Sequence, residues 1–352
     1  MPSKRITIVG GGLTGLTLAY LLSKQDIDLT IVEASSRLGG RIQTIVGEKE
    51  TPLELGATWF SDVHQNLLQL LETLGLQKYP QYATGKSLFQ TKSFEPAQTF
   101  FVPESESPSY RIVGGTEQLI KRLVDNLNNV TIKLDTKIES VIDKENEITL
   151  KTAEGQELQA NYVILCMPPQ LVGSQIQFSP ALPSEINSIL PSVQTWMSGS
   201  IKFVLEYERP FWRNNGFSGM LYSHSGIVTE MYDHTNFEET KYGFTGFLNS
   251  GASAYTQNIR EELVLQQLSQ LLGNDSLHPL KYTDKVWIGE NIFTGTQNIQ
   301  RPHQNNGHPL LQNGYMNNKL YFSGTETSTV FAGYMEGAIC AATKMAEIIK
   351  SY

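Results

Sequence analysis

The sequence predicts an α/β protein: a Rossmann-like domain on a parallel sheet, with an α+β domain inserted into it. Three observations predict this. A glycine-rich turn joins a β-branched run to a helical run at the N-terminus, alternating strands fill the middle, and a buried strand followed by a small-residue helix closes the chain. At 352 residues the chain exceeds the ~250–300 at which single cores stop growing, so two domains are expected.

The first element is "RITIV", Arg5 to Val9, a β-branched run that reads as a buried parallel strand. "GGGLTG" follows and sets Gly10, Gly12 and Gly15 at GxGxxG spacing. Gly10 permits the tight turn, Gly12 lets the backbone approach a pyrophosphate, and Gly15 lets helix and strand pack closely. The helix opens at Leu13 and Thr14 and offers free N–H groups and a partial positive charge to phosphate. A second strand, "DLTIVE", ends at Glu33, 23 residues after Gly10, where an acid can accept ribose hydroxyls; Ala34 follows it. "LELGATWF" then places Gly56, Ala57 and Thr58 after a short strand, small enough to lie against a flat ring. Trp59 reads equally as core or as site.

"HQNLLQLLETLGL" is an amphipathic helix with Gly75 near its C-cap. From Lys78 to Pro108 the text turns irregular, polar and proline-rich, an excursion into the second domain. A helix in "IVGGTEQLIKRLVDNL" and short strands ending in "NYVILCMPP" return to the first. From Trp196 to about Leu272 "SGMLYS", "IVTEMYD" and "YGFTGFLNS" read as an antiparallel sheet closed by a helix over Arg260–Leu272. The expected division is residues 1–78, 114–190 and 290–352 for the nucleotide domain, and 79–113 and 191–289 for the inserted substrate domain.

Composition narrows the function. Hydrophobic content of 40 % and charged content of 18 % are ordinary for a folded protein. The net charge of −8 argues against nucleic acid, whose phosphates require clustered Lys and Arg. Two distant cysteines, Cys166 and Cys340, make no disulfide framework and suit a reducing compartment. "MPSKRITIVGGG" has no apolar leader core, and no window approaches ~18 apolar residues, so a cytoplasmic chain without membrane contact is expected. The six histidines are scattered, His303 and His308 lack metal-ligand spacing, and Gly-x-Ser-x-Gly is absent, so no metal or serine-hydrolase site is expected.

The run "EASSRLGGRIQT" holds Glu33, Arg37, Gly39, Gly40 and Arg41, and resembles the ExxxRxGGR signature of FAD enzymes with a glutathione-reductase-like fold. The C-terminal "LYFSGTETSTVFAGYMEGAICAATKMAEII", together with "IKFVLEYERPFWRNNGFSG" and "ELGATWF", resembles the flavin-containing amine oxidases, the monoamine oxidase family, nearly throughout and in order. The resemblance implies that Gly324-Thr325-Glu326 approach the ribityl chain and pyrophosphate. It implies that the helix entered at Tyr334 and Met335 aims its N-terminus at the flavin pyrimidine edge, where reduction builds negative charge. Glu326 beside a phosphate is repulsive, so it is expected to bond a ribityl hydroxyl, a backbone N–H or an arginine, with Arg41 a candidate. Ile138 matches the position contacting adenine through its backbone.

Pattern alone makes Lys202 a solvated lysine on the polar face of its strand, with Val204 and Glu206. The resemblance instead implies a lysine that reaches a water near flavin N5 and assists reoxidation by dioxygen. Tyr334 matches one wall of the aromatic cage that orients the amine, and is otherwise a core tyrosine. Thr296 falls where covalent members carry the flavin-linking cysteine, so FAD is expected to be non-covalent. Gln297 falls where the second cage tyrosine stands, and an amide offers no π face. The implied enzyme is an FAD-dependent oxidase that takes an amine to an imine and reduces dioxygen to hydrogen peroxide, with Lys202, Tyr334, Gln297 and Trp59 at the reacting centre. A desaturase, porphyrinogen oxidase or isomerase on the same fold, or a flavin-binding accessory protein, is the alternative. A small amine and dioxygen are the expected partners, and a monomer or homodimer the expected assembly.

Overall fold

A computed structural model describes residues 4–103, 105, 107–289 and 301–352. Among them, the strands Lys4–Val9, Ile27–Val32, Val130–Lys133, Tyr162–Leu165 and Leu320–Phe322 form a parallel sheet in the order 320–322, 162–165, 4–9, 27–32, 130–133. The first strand and the last thus lie one strand apart, and their C-terminal ends point the same way. In such sheets ligands bind outside those ends. The helices Leu13–Leu22 and Met335–Lys350 pack on one face of the sheet. Leu16, Leu18 and Leu22 of the first interlock there with Ile339, Ala342 and Ala346 of the last.

A seven-stranded sheet stands beside it, built from Lys281–Val286, Ile201–Tyr207, Tyr242–Leu248, Val228–Asp233, Phe217–Ser223, Lys86–Gln90 and Gln98–Phe101. The tract read as irregular thus contributes strands: Lys86–Gln90 joins Phe217–Ser223 in parallel, and Gln98–Phe101 makes the edge. Gln98–Phe101, at the edge, is mostly exposed and carries little hydrophobic pattern, and Lys86–Gln90 beside it is only five residues long. The helix over Gln257–Leu272 begins three residues earlier than the pattern suggested, because the Thr256 hydroxyl accepts the Ile259 N–H and caps it.

A separate hairpin, Thr44–Val46 with Pro52–Glu54, is tied to the seven-stranded sheet near the site. Leu53 and Leu55 of the hairpin after the nucleotide motif pack on Val204. Glu206, fully buried, accepts the backbone N–H of Lys49 at 3.0 Å and that of Glu48 at 2.5 Å, holding the hairpin turn. No helix among the described residues is long and apolar enough to cross a membrane.

Candidate active site

The glycine turn opens one end of a long cleft. At Gly10 φ is +113°, and a Cβ there would lie 2.5 Å from the Cys166 carbonyl oxygen. At Gly15 a Cβ would lie 2.1 Å from the Gly10 carbonyl, so only glycine lets this helix meet this strand. Gly12 differs: a Cβ there would meet nothing closer than the Gly40 Cα at 4.0 Å, so the approach is open. The helix starts at Gly12 with no side-chain cap, leaving its first N–H groups to a ligand. Gly12, Leu13, Thr14, Glu33, Ala34, Ile138 and Met335 all border the cleft, and Lys137, Met167 and Pro168 join them. Glu33 also accepts the Gly11 N–H at 2.7 Å and the Ser35 N–H at 2.9 Å, which fixes its carboxylate on the cleft wall. An uncapped helix start, open backbone and a held carboxylate fit a dinucleotide. Arg37 turns inward to the carbonyls of Leu38, Gly40 and Ile42 and shapes the loop.

Glu326 is fully buried and forms a two-pronged ion pair with Arg41, at 2.6 Å and 3.2 Å. Of the three partners the sequence allowed, the structure places the arginine there. Thr325 ties this turn to the last helix, since its hydroxyl accepts the Gly333 N–H at 2.9 Å and donates to the Tyr334 carbonyl at 2.8 Å. The helix Met335–Lys350 starts after Tyr334 with no side-chain cap, its first residue on the cleft.

Beyond Arg41 and Tyr334 the cleft runs into an inner cavity of about 180 Å³. Lys202 stands in its wall, and the pattern-based reading of a solvated face is overturned: Lys202 is 3 % exposed and its whole strand is buried. The hairpin bearing Leu53 and Leu55 covers the polar face, which sequence alternation cannot reveal. Lys202 Nζ donates to the Gly56 carbonyl at 2.8 Å and to the Thr58 hydroxyl, and sits 4.8 Å from the Trp59 ring. Burial pushes its pKa down from 10.5 to about 7, partly opposed by the Glu54 charge. Glu54, also buried, is pushed up from the usual carboxylate range by the same desolvation. Gly56 is small for a second reason: a Cβ would lie 2.3 Å from the Arg41 carbonyl, so the glycine admits the neighbouring backbone as well as bordering the cavity.

Trp59 and Tyr334 both border this cavity, and Tyr334 is 40 % exposed, which removes the core reading for it. Trp59 also borders a wide outer groove, held by a hydrogen bond from its Nε1 to Gln81 Oε1 at 2.8 Å. It stands between groove and cavity. Ala57 and Thr58 line the inner cavity, and Gly324 lines the cleft. Gln297 and Thr296 lie outside the described residues.

Several neighbours escaped the sequence reading. Trp196, Phe247 and Trp287 complete an aromatic lining with Trp59 and Tyr334. Phe247 is the cross-strand partner of Lys202, so strand register finds it once the sheet is known. Behind Lys202 lies a buried polar group. His234 Nε2 accepts the Glu54 N–H at 3.2 Å, and Arg111 donates to the Thr235 carbonyl at 3.0 Å. Burial drives the His234 pKa well below its usual value, aided by Arg111 and Lys202. Among the described residues no group of three His, Cys, Asp or Glu could hold a metal ion.

Comparison with known proteins places this arrangement. The family profile for "Flavin containing amine oxidoreductase" matches residues 87–350, and that for "NAD(P)-binding Rossmann-like domain" matches residues 8–74. A probable flavin-containing monoamine oxidase A of Dictyostelium discoideum is 23 % identical, over 98 % of this chain and 97 % of its own. Human flavin-containing amine oxidase B is 24 % identical, over 98 % of this chain and 85 % of its own. Among solved structures, putrescine oxidase bound to putrescine superposes with a TM-score of 0.84 at 20 % identity, over 99 % of both chains. Cyclohexylamine oxidase from Brevibacterium oxydans IH-35A gives 0.83 at 20 %, over 99 % of this chain and 100 % of that one. The chain is an FAD-dependent oxidoreductase and belongs to the flavin-containing amine oxidoreductase family.

Proposed function

We propose that the protein is an amine oxidase that converts an amine to an imine and returns the electrons to dioxygen as hydrogen peroxide, with FAD held non-covalently. The bound flavin supplies the two-electron chemistry. The chain supplies binding, orientation and charge. The Gly10–Gly15 turn and the helix at Leu13 take the pyrophosphate, Glu33 the ribose, and the uncapped N-terminus at Met335 the electron-rich edge of the ring. Residues 1–78, 114–190 and 290–352 form the FAD-binding part in this reading, and 79–113 and 191–289 the substrate part; the membership of the two large sheets supports that division.

The observation that carries the reading is Lys202. A buried lysine fixed by the Gly56 carbonyl borders the same cavity as Tyr334. With its pKa near 7 it carries a proton part of the time at neutral pH, so it can stabilise negative charge developing on oxygen. Tyr334 orients the amine by its ring face, and Trp59 closes the side of the cavity toward the outer groove. The test is anaerobic mixing of the FAD-loaded protein with a panel of primary and secondary amines, then admission of air. Bleaching of the flavin followed by stoichiometric peroxide supports the reading. A flavin that no amine reduces defeats it.

A further inference from the structure

We infer that Trp196 is a specificity-determining residue that gives the amine its second aromatic wall beside Tyr334, and that the site takes an amine whose remaining substituent is apolar. The inference rests on the amine-oxidase reading of the cavity. Trp196 sits in the tight turn before the lysine strand, where the Ser198 N–H reaches the Thr195 carbonyl at 3.3 Å and the Ser200 N–H the Met197 carbonyl at 3.0 Å. Met197 is held at φ +57°, a region costly for a side-chain-bearing residue, so the turn is over-determined by its surroundings.

One such constraint is plain. A Cβ on Gly333 would lie 2.6 Å from the Trp196 Cβ, so Gly333 is the residue that lets Trp196 press against the start of the last helix. The Trp196 and Tyr334 ring centroids are then 6.1 Å apart with planes tilted 33°. His303 stacks on Trp196 at 4.6 Å and 22°, lies 5.7 Å from Tyr334, and does not border the cavity, so it backs the pair. A cation in front of the two rings can sit within about 6 Å of each centroid, the range in which the ring quadrupole attracts it.

A second observation points to a ligand at the same place. The Thr195 hydroxyl oxygen, in a residue 1 % exposed that borders the cavity, has no hydrogen-bond partner among the described residues. An ammonium N–H is a suitable donor to it. Among the described residues no carboxylate borders the cavity, and the cations that do are Lys202 and the Glu326-paired Arg41. An ammonium is therefore recognised by π faces and a neutral acceptor, and the rings of Trp59, Phe247 and Trp287 take its apolar substituent.

The experiment titrates full-length, FAD-loaded protein with benzyltrimethylammonium, a cation that cannot be oxidised at nitrogen-bearing hydrogen, and with its neutral isostere neopentylbenzene. Perturbation of the flavin absorbance reads binding, at a pH above the titration of Lys202. W196L keeps the Cβ contact with Gly333 and removes the ring; it should weaken the charged probe about 5- to 30-fold, and the neutral one less. W196F should stay within about 3-fold of wild type. Undiminished binding of the cation by W196L overturns the inference, as does a wild-type protein that fails to prefer the cation over its isostere. The oxidase reading fails separately, when no amine reduces the flavin.

Discussion

The Arg41–Glu326 pair offers the sharpest test of how the cofactor turn is held. Arg41→Met strips the one ion-pair partner that Glu326 has among the described residues from a carboxylate with 0 % exposed side chain, while the arginine it removes is 30 % exposed. Breaking a buried pair from one side costs about 3–5 kcal/mol. The partial exposure of Arg41 places this case at the lower end, about 3 kcal/mol. A chain of this length unfolds with an entropy of roughly 0.7 kcal/mol/K, so the melting temperature should fall by about 4 °C. Glu326→Gln keeps the shape and removes the charge, and should fall by less. The double variant R41M/E326Q should recover about 1–2 kcal/mol relative to the sum of the single changes, because the orphaned charge is gone. Thermal unfolding of all four proteins with saturating FAD measures this. Equal melting temperatures for wild type and R41M, or strictly additive losses, would refute the claim that this pair carries charge compensation for the turn.

Further expectations follow from other contacts. Gly15→Ala drives a Cβ to 2.1 Å from the Gly10 carbonyl, so the variant should lose FAD retention by at least tenfold, read by flavin fluorescence after gel filtration. Lys202→Met should change how stability depends on pH. Lys202 has a folded pKa of about 7 against an ordinary 10.5, so between those values the unfolded chain holds a proton the folded one lacks, and stability rises with pH across that window. The rise should be smaller in K202M than in wild type by about 5 kcal/mol at most, measured by urea unfolding at several pH values; parallel curves would contradict the burial account. Glu336→Ala removes the acceptor of the Asn66 and Leu67 N–H groups, at 3.0 Å and 2.8 Å, which cap the helix Gln65–Thr73 from outside. It should destabilise by about 1–3 kcal/mol, with faster hydrogen exchange confined to that helix.

The nucleotide half was legible because its motifs impose backbone constraints at short range. Gly10 and Gly15 are required by contacts within a few residues or an adjacent strand, and such constraints write themselves into the text. Glu326 was legible as a problem, a carboxylate near phosphate, but the sequence left a ribityl hydroxyl, a backbone N–H and an arginine open as partners, and the fold brings in Arg41. Lys202 was misread by alternation, because the cover on its polar face comes from a hairpin some 150 positions earlier. Trp196 carried no local signal at all. Its place is set by Gly333, far along the chain, and only the fold brings the two together. The edge strand Gln98–Phe101 was hidden because an edge imposes little hydrophobic pattern, and Lys86–Gln90 beside it because five residues show too little alternation to read.

The most direct test of the account is the rate at which dioxygen reoxidises the reduced flavin in K202M, measured by stopped flow beside wild type. A unit charge about 5 Å from charge building on oxygen is worth about 3 kcal/mol at an effective dielectric of 20, or roughly two orders of magnitude in rate. Reoxidation should slow to that extent, with anaerobic reduction by amine nearly unchanged. Reoxidation at the wild-type rate would contradict it.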